Sequence, residues 1–291
     1  MTREAARRRL RPGPGSDDAG CPRRRRSGGP LLPGDERREV MFEVAAEAYN
    51  RFMGRYSEPL AARFIDAAGV HPGQEALDVG CGPGALTAQL AARLGPSAVK
   101  AIDPSSSFVE ALRERLPGVE VTSGVAERLP YPDDAFDCAL AQLVVHFMTD
   151  PVAGLAEMAR VTRPGGVVAA CVWDLAKGGG PLSLFWEAVR EVDPSAPGEE
   201  SRPGTREGHL AELFTAAGLH GLEECKLTVR VAYAGFAEWW DPFTLGIGPS
   251  GAYLRGLDAA KRGQIRDRCA GLLPEGAFEV DASAWCVRGR P

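Results

Sequence analysis

Between residues 74 and 173, short apolar runs alternate with segments whose apolar positions recur at helical spacing. The runs at 75–79, 98–102, 119–122, 136–141 and 166–172 predict strands, and the segments 85–94, 104–116 and 151–161 predict helices. Asp150 before Pro151 marks a helix start, with a capping carboxylate and a proline in the first turn. Strands alternating with helices in this way predict a doubly wound, mostly parallel α/β sheet covered on both faces. Beyond Trp173 the pattern loosens. Helices are predicted at 182–192 and 209–217, a polar Pro/Gly loop at 193–208, a sixth strand at 222–231 and a last one at 282–288. An insertion at 232–281, between those two strands, carries Phe236, Trp239, Trp240, Phe243 and Tyr253 and is expected beside the sheet on the substrate side.

Upstream, Phe42, Ala45, Tyr49, Phe52, Leu60 and Phe64 have helical spacing and predict two helices broken around 54–59. They form a cap, 39–73, that packs on the sheet or covers its open crevice. The predicted organisation is therefore a structureless basic extension at 1–38, this cap, and one α/β domain over 74–291.

Charge separates the extension from the rest. Its eleven Arg against five acidic residues contribute +6 to a whole-chain charge of −5, which leaves −11 for residues 39–291. A body that acidic is a poor nonspecific binder of nucleic acid, so nucleic acid is not an expected partner. No stretch approaches the roughly 18 uncharged apolar residues of a membrane span. Seven cysteines without a CxxC pair suit a reducing cytoplasm and provide neither a disulfide framework nor a zinc set, and no metal is expected.

The densest chemical signal is the run of residues 77–86, LDVGCGPGAL, between a predicted strand and helix. Gly80, Gly82 and Gly84 let the backbone turn sharply and approach a ligand. The spacing G-x-G-x-G departs from the dinucleotide fingerprint G-x-G-x-x-G, and no Lys-Ser/Thr pair follows as in a phosphate-binding loop. Asp103, nineteen residues after Gly84 at the end of the second strand, is placed to accept hydrogen bonds from both hydroxyls of a ribose. A plain N-cap ahead of Pro104 is the alternative.

These residues resemble the class I S-adenosylmethionine-dependent methyltransferases, in the small-molecule branch whose first motif is D-V-G-C-G-x-G, present as Asp78 to Gly84. The resemblance continues through residues 124–130, 136–142 and 163–167, and covers roughly 74–173. It implies a seven-stranded sheet of order 3-2-1-4-5-7-6 with strand 7 antiparallel. It also implies S-adenosylmethionine as cofactor, bound by the motif residues Asp78 and Gly84 among others, with the backbone of Gly80, Cys81 and Gly82 at its methionine part and Asp103 on the ribose. Pro104, Ser105, Val125 and Ala126 would lie near the adenine. Val125 stands where relatives often carry Asp or Asn, which leaves adenine recognition to the backbone near Ala126 or to another contact. Glu127 is either a capping carboxylate or a direct contact.

Acceptor-side residues are expected at the carboxyl ends of strands four and five, where open α/β sheets bind ligands. Gln142 can orient the methionine ammonium or a polar acceptor group. His146 is the candidate catalytic or substrate-binding residue, with a packed histidine as the alternative. Trp173 can wall a pocket and Asp174 can meet a polar substrate. Tyr49 and Arg55, on the cap, are candidates for the cofactor carboxylate, since a guanidinium pairs well with it. Trp239, Trp240 and Phe243 are candidate acceptor-pocket residues, against a satellite core or dimer contact. The function expected is methyl transfer to a small-molecule acceptor by a cytoplasmic enzyme. A noncatalytic cofactor-binding protein, or a methyltransferase of protein or nucleic acid, remains open.

Overall fold

A computed structural model of the chain describes residues 49–291; the basic extension and the first cap helix, around Phe42 and Ala45, lie outside the described residues. In chain order the elements are α1 (Arg55–Ala68), β1 (Ala76–Val79), α2 (Ala85–Leu94), β2 (Val99–Asp103), α3 (Ser106–Arg115), β3 (Glu120–Ser123), β4 (Phe136–Gln142), α4 (Pro151–Val161) and β5 (Thr162–Trp173). They continue with α5 (Ser183–Val192), α6 (His209–Ala216), β6 (His220–Tyr233), α7 (Phe236–Trp240), α8 (Gly248–Arg255), α9 (Ala259–Leu272) and β7 (Phe278–Arg290).

The seven strands form one sheet in the order β3-β2-β1-β4-β5-β7-β6. The first five pair in parallel, and β7 runs antiparallel to both β5 and β6. The order and the antiparallel seventh strand agree with the sequence expectation. Because side chains alternate across a strand, Cys138 and Leu140 of β4 join one core while Ala139 and Ala141 join the other. The first core takes Leu60 of α1, Leu90 of α2, Leu112 of α3 and Phe185 of α5. The second takes Leu155 of α4 and Phe214 of α6. Covering both faces leaves the carboxyl ends of β1, β2, β4 and β5 as the ligand-binding edge of the sheet.

Two elements differ from the sequence expectation. The cap helix is not broken at 54–59: a π-helical turn, Asn50–Gly54, runs directly into α1, and Pro59 lies inside that helix. Proline removes one helical donor, but the buried stripe of Tyr56, Leu60, Phe64 and Ile65 holds the segment on the sheet. The β6–β7 ladder is also longer than its apolar pattern predicts, pairing His220 with Arg290 at one end and Tyr233 with Phe278 at the other. Cross-strand charge pairs such as Arg230 Nε to Asp281 Oδ1, 2.6 Å, mark this stretch, where apolar alternation gives no signal.

Candidate active site

The glycine turn is fastened to the neighbouring strand by its own amides. Gly80 N and Cys81 N donate to Ile102 O at 2.8 and 3.1 Å, and Gly82 N donates to Asp103 Oδ2 at 2.8 Å. All three glycines of the turn have positive φ, at 72°, 53° and 94° for Gly80, Gly82 and Gly84. A Cβ on Gly80 would stand 2.5 Å from the Val144 side chain, and one on Gly84 2.4 Å from Leu112. Gly82 is different, because a Cβ there would meet nothing within 4 Å. Its open side is where a ligand can approach the backbone. Gly84, at the N-cap of α2, offers no side chain to cap its first turn.

Asp103 is buried at the end of β2, and its second oxygen accepts from Ser105 N at 2.9 Å. Burial pushes its pKa up to about 6, against the pull of the two amides. Asp78 is more deeply enclosed. Thr87 Oγ1 donates to its Oδ2 at 2.5 Å, while Oδ1 is buried without a partner, and burial raises the pKa to about 7. At the end of β4, Gln142 Nε2 donates to Ser57 O at 2.9 Å, and its Oε1 is likewise buried and unpartnered. A buried acceptor without a donor costs on the order of 1–3 kcal/mol, so the two mark places where a ligand donor would be favourable.

Around them, Ser105 caps α3, Pro104 and Val125 are exposed, and Ala126 and Cys81 are buried. Gly124 N donates to Asp103 O at 3.1 Å, which brings the loop that carries Val125 to the end of β2. Tyr49 stacks edge-on against Phe108, with ring centroids 5.3 Å apart. Burial and the nearby Asp103 carboxylate push its pKa up to about 12. The cap therefore lies over the end of β2.

Residues 77–170 match the methyltransferase domain family. A demethylmenaquinone methyltransferase of Mycobacterium sp. (strain JLS) is 32% identical over 212 residues, which cover 71% of this chain and 89% of that protein. This chain belongs to the S-adenosylmethionine-dependent methyltransferase family. An uncharacterized 37.1 kDa protein of a Streptomyces fradiae transposon is 39% identical over 203 residues, 67% of this chain and 54% of the relative. The chain thus spans about half the length of that relative. Among solved structures, the [4+2]-cyclase SpnF aligns with a TM-score of 0.55 at 21% identity, covering 91% of this chain and 99% of that one, a likeness of fold.

At the carboxyl ends of β4 and β5, a cavity of about 50 Å³ is lined by Tyr49, Phe52 and Met53 of the cap, by Leu143, His146 and Phe147 after β4, and by Trp173 at the end of β5. Leu175, Pro181, Leu182, Glu199 and the stretch 247–250 complete the wall. Leu143 has a φ of 62°, rare for a branched side chain, so the exit of β4 carries local strain beside the cavity. His146 is buried, with Nδ1 unpartnered, and burial together with Arg202 pulls its pKa down to about 3. Trp173 keeps an unpartnered, buried Nε1.

Six sequence candidates have other partners. Arg55 donates to Glu238 Oε1 at 2.7 Å and to Ala232 O at 3.1 Å, and lies over the Tyr233 ring, so its charge braces the cap against β6 and α7. Asp174 faces away from Trp173, as adjacent strand residues do, and is fully buried in an ion pair with Lys226 Nζ at 2.7 Å. Trp239, Trp240 and Phe243 belong to the first core, in which Phe243 stacks on Phe185 at 4.6 Å. Phe243 lies three and four residues after Trp240 and Trp239 and so packs with both, and the insertion reaches the cavity through residues 247–250 instead. Glu127 is a structural carboxylate, accepting from Thr149 N and Asp150 N at 2.7 and 3.2 Å.

Sequence reasoning missed Glu199 and Ser250. Both are buried polar residues in segments read only as loop or insertion, where no periodic pattern marks an inward-facing position.

Proposed function

We propose that this chain transfers a methyl group from S-adenosylmethionine to a small-molecule acceptor. The observation that carries the reading is Asp103, a buried carboxylate held by the Gly82 amide at the open side of the glycine turn. Such a carboxylate suits a ribose diol. The residues fit the rest of the cofactor as well: Asp78 Oδ1 and Gln142 Oε1 are buried acceptors without donors, which suits an ammonium group. Cys81 and Gly84 shape the turn, Pro104, Ser105, Val125 and Ala126 flank the adenine position, and Tyr49 closes over it. When bound, S-adenosylmethionine supplies an electrophilic methyl group on a sulfonium.

The protein's part is to align an acceptor lone pair and exclude water. Tyr49, Phe52 and Met53 roof the cavity, and His146 and Trp173 bound it beyond the ends of β4 and β5. A neutral His146 orients rather than deprotonates, because burial holds its pKa far below neutrality. The acidic body supports a small-molecule acceptor over nucleic acid, and the small-molecule name of the mycobacterial relative points the same way. Among the described residues no helix is long and apolar enough to cross a membrane, in keeping with a proposed cytoplasmic location.

The test is incubation of the full chain with methyl-tritiated S-adenosylmethionine and a panel of small phenols, quinols and amines. Tritium in an organic-extractable product is expected. Tight cofactor binding with no label transferred to any member would favour a noncatalytic binding protein.

A further inference from the structure

The loop between α5 and α6 brings a carboxylate into the cavity wall opposite His146 and Trp173. Glu199 is 6% exposed, accepts from Trp186 Nε1 at 2.9 Å through Oε2, and has Arg202 Nε 3.5 Å from Oε1. Arg202 also reaches His146 O at 3.5 Å and lies over the Phe147 ring at 5.0 Å, so one guanidinium joins the two sides of the wall. Three further residues of the lining, His146, Trp173 and Ser250, each carry a buried polar atom without a partner. An apolar cavity wall with one carboxylate and three unused polar atoms is costly unless a ligand engages them.

The chemistry of such a ligand is narrow. A cavity of about 50 Å³ holds a few water-sized groups, about a third of the roughly 150 Å³ that takes a benzene ring, so it admits the reacting group of a substrate and not a whole ring. Arg202 beside Glu199 opposes a cationic amine, and Glu199 opposes a carboxylate, which leaves an uncharged ligand. One that donates a hydrogen bond to Glu199 and accepts from Trp173 or Ser250 uses the wall in full.

We propose that Glu199 is the acceptor-side base of this protein and that its substrates present a hydroxyl group on an uncharged moiety. This rests on the methyl-transfer reading above. The acceptor oxygen forms its new bond to the methyl carbon as the carbon–sulfur bond breaks. Its proton passes to the Glu199 carboxylate and on to solvent, and the sulfonium charge is lost as a neutral thioether. Burial raises the pKa of Glu199, which makes it a better proton acceptor than an exposed carboxylate and a better one than His146.

The experiment titrates the full chain, first saturated with S-adenosylhomocysteine, with phenol, anisole and benzylammonium, followed by ligand-observed NMR. Failure of S-adenosylhomocysteine to bind tests the underlying reading separately. Phenol is expected to bind about tenfold more tightly than anisole, which lacks the donor, and benzylammonium more weakly than either. In Glu199→Leu the preference for phenol over anisole disappears while S-adenosylhomocysteine affinity is kept. Glu199→Gln, which retains an acceptor for the Trp186 indole, guards against a folding defect and reduces the preference by about threefold or more. Equal binding of phenol and anisole, binding of neither, tighter binding of benzylammonium, or a preference that survives in Glu199→Leu overturns the proposal.

Discussion

Gln142 Nε2 donates to the carbonyl of Ser57 at 2.9 Å, tying the last residue of β4 to the first turn of α1. The other end of the same amide, Oε1, is buried without a partner. One side chain thus anchors the cap and offers an acceptor to a ligand. Gln142→Leu is expected to cost about 1 kcal/mol in unfolding and to weaken S-adenosylhomocysteine by about tenfold. Thermal unfolding and calorimetry check both, and unchanged affinity would remove Gln142 from the cofactor site.

Two glycines of the turn, Gly80 and Gly82, are predicted to fail in different ways. Gly80→Ala places a methyl 2.5 Å from Val144 at a φ of 72°, so it destabilises the fold. Gly82→Ala meets nothing within 4 Å and carries only the cost of a left-handed alanine, about 1 kcal/mol. Its methyl would nevertheless occupy the ligand's approach. Gly82→Ala should therefore remain folded by circular dichroism and lose about tenfold or more in S-adenosylhomocysteine affinity, the affinity loss exceeding the stability loss. The opposite ranking of the two variants would contradict the assigned geometry.

Asp78 and Asp103 make stability depend on pH. Their folded pKa values, about 7 and about 6, lie above the unfolded value near 3.9. The folded state therefore holds more protons, and these groups contribute stability that is present below pH ~4 and lost as pH rises through ~6–7. His146, pulled down to about 3, acts in the opposite sense, losing stability as pH falls below its unfolded value near 6.5. A comparison with Asp78→Asn isolates the carboxylate: relative to the parent, the variant should gain a few kcal/mol between pH 4 and pH 8, at ~1.4 kcal/mol for each tenfold difference in proton affinity between the folded and unfolded chain. A constant difference across that range rules out a raised Asp78. An ammonium beside Asp78 favours its charged form, so S-adenosylhomocysteine binding near pH 6.5 should release protons, read by calorimetry in buffers of different ionisation enthalpy.

His146 is predicted not to titrate in the working range. Once a turned-over acceptor is in hand, the pH–rate profile of the parent should lack an inflection near 6.5 that His146→Gln removes. His146→Gln is expected to weaken acceptor binding while leaving that profile unchanged. An inflection near 6.5 that disappears in the variant restores the imidazole as base.

The parallel core was legible because its signals are local. Apolar runs, the Asp150–Pro151 start and the glycine turn each act within a few residues, and together they located five strands and the ligand edge. Asp103 could be placed at the end of β2 because distance along the chain from Gly84 maps onto neighbouring strand ends. Arg55, Asp174 and the Trp239–Trp240–Phe243 cluster do not line the cavity, because residue type was legible in the sequence and side-chain direction was not. Which way a side chain faces depends on partners such as Glu238, Lys226 and Phe185, all remote in sequence or at positions no pattern picks out. Glu199 and Ser250 escaped for the same reason: they lie in aperiodic segments, where burial is decided by tertiary packing alone.

The cofactor site is tested by calorimetric titration of the full chain, freed of copurified ligand, with S-adenosylmethionine and with S-adenosylhomocysteine, alongside Asp103→Ala. Roughly micromolar binding of both by the parent is expected, with a loss of about a hundredfold in the variant, ~2.7 kcal/mol. No binding by well-folded parent protein, or equal binding by Asp103→Ala, is incompatible with a ribose-binding carboxylate at the end of β2.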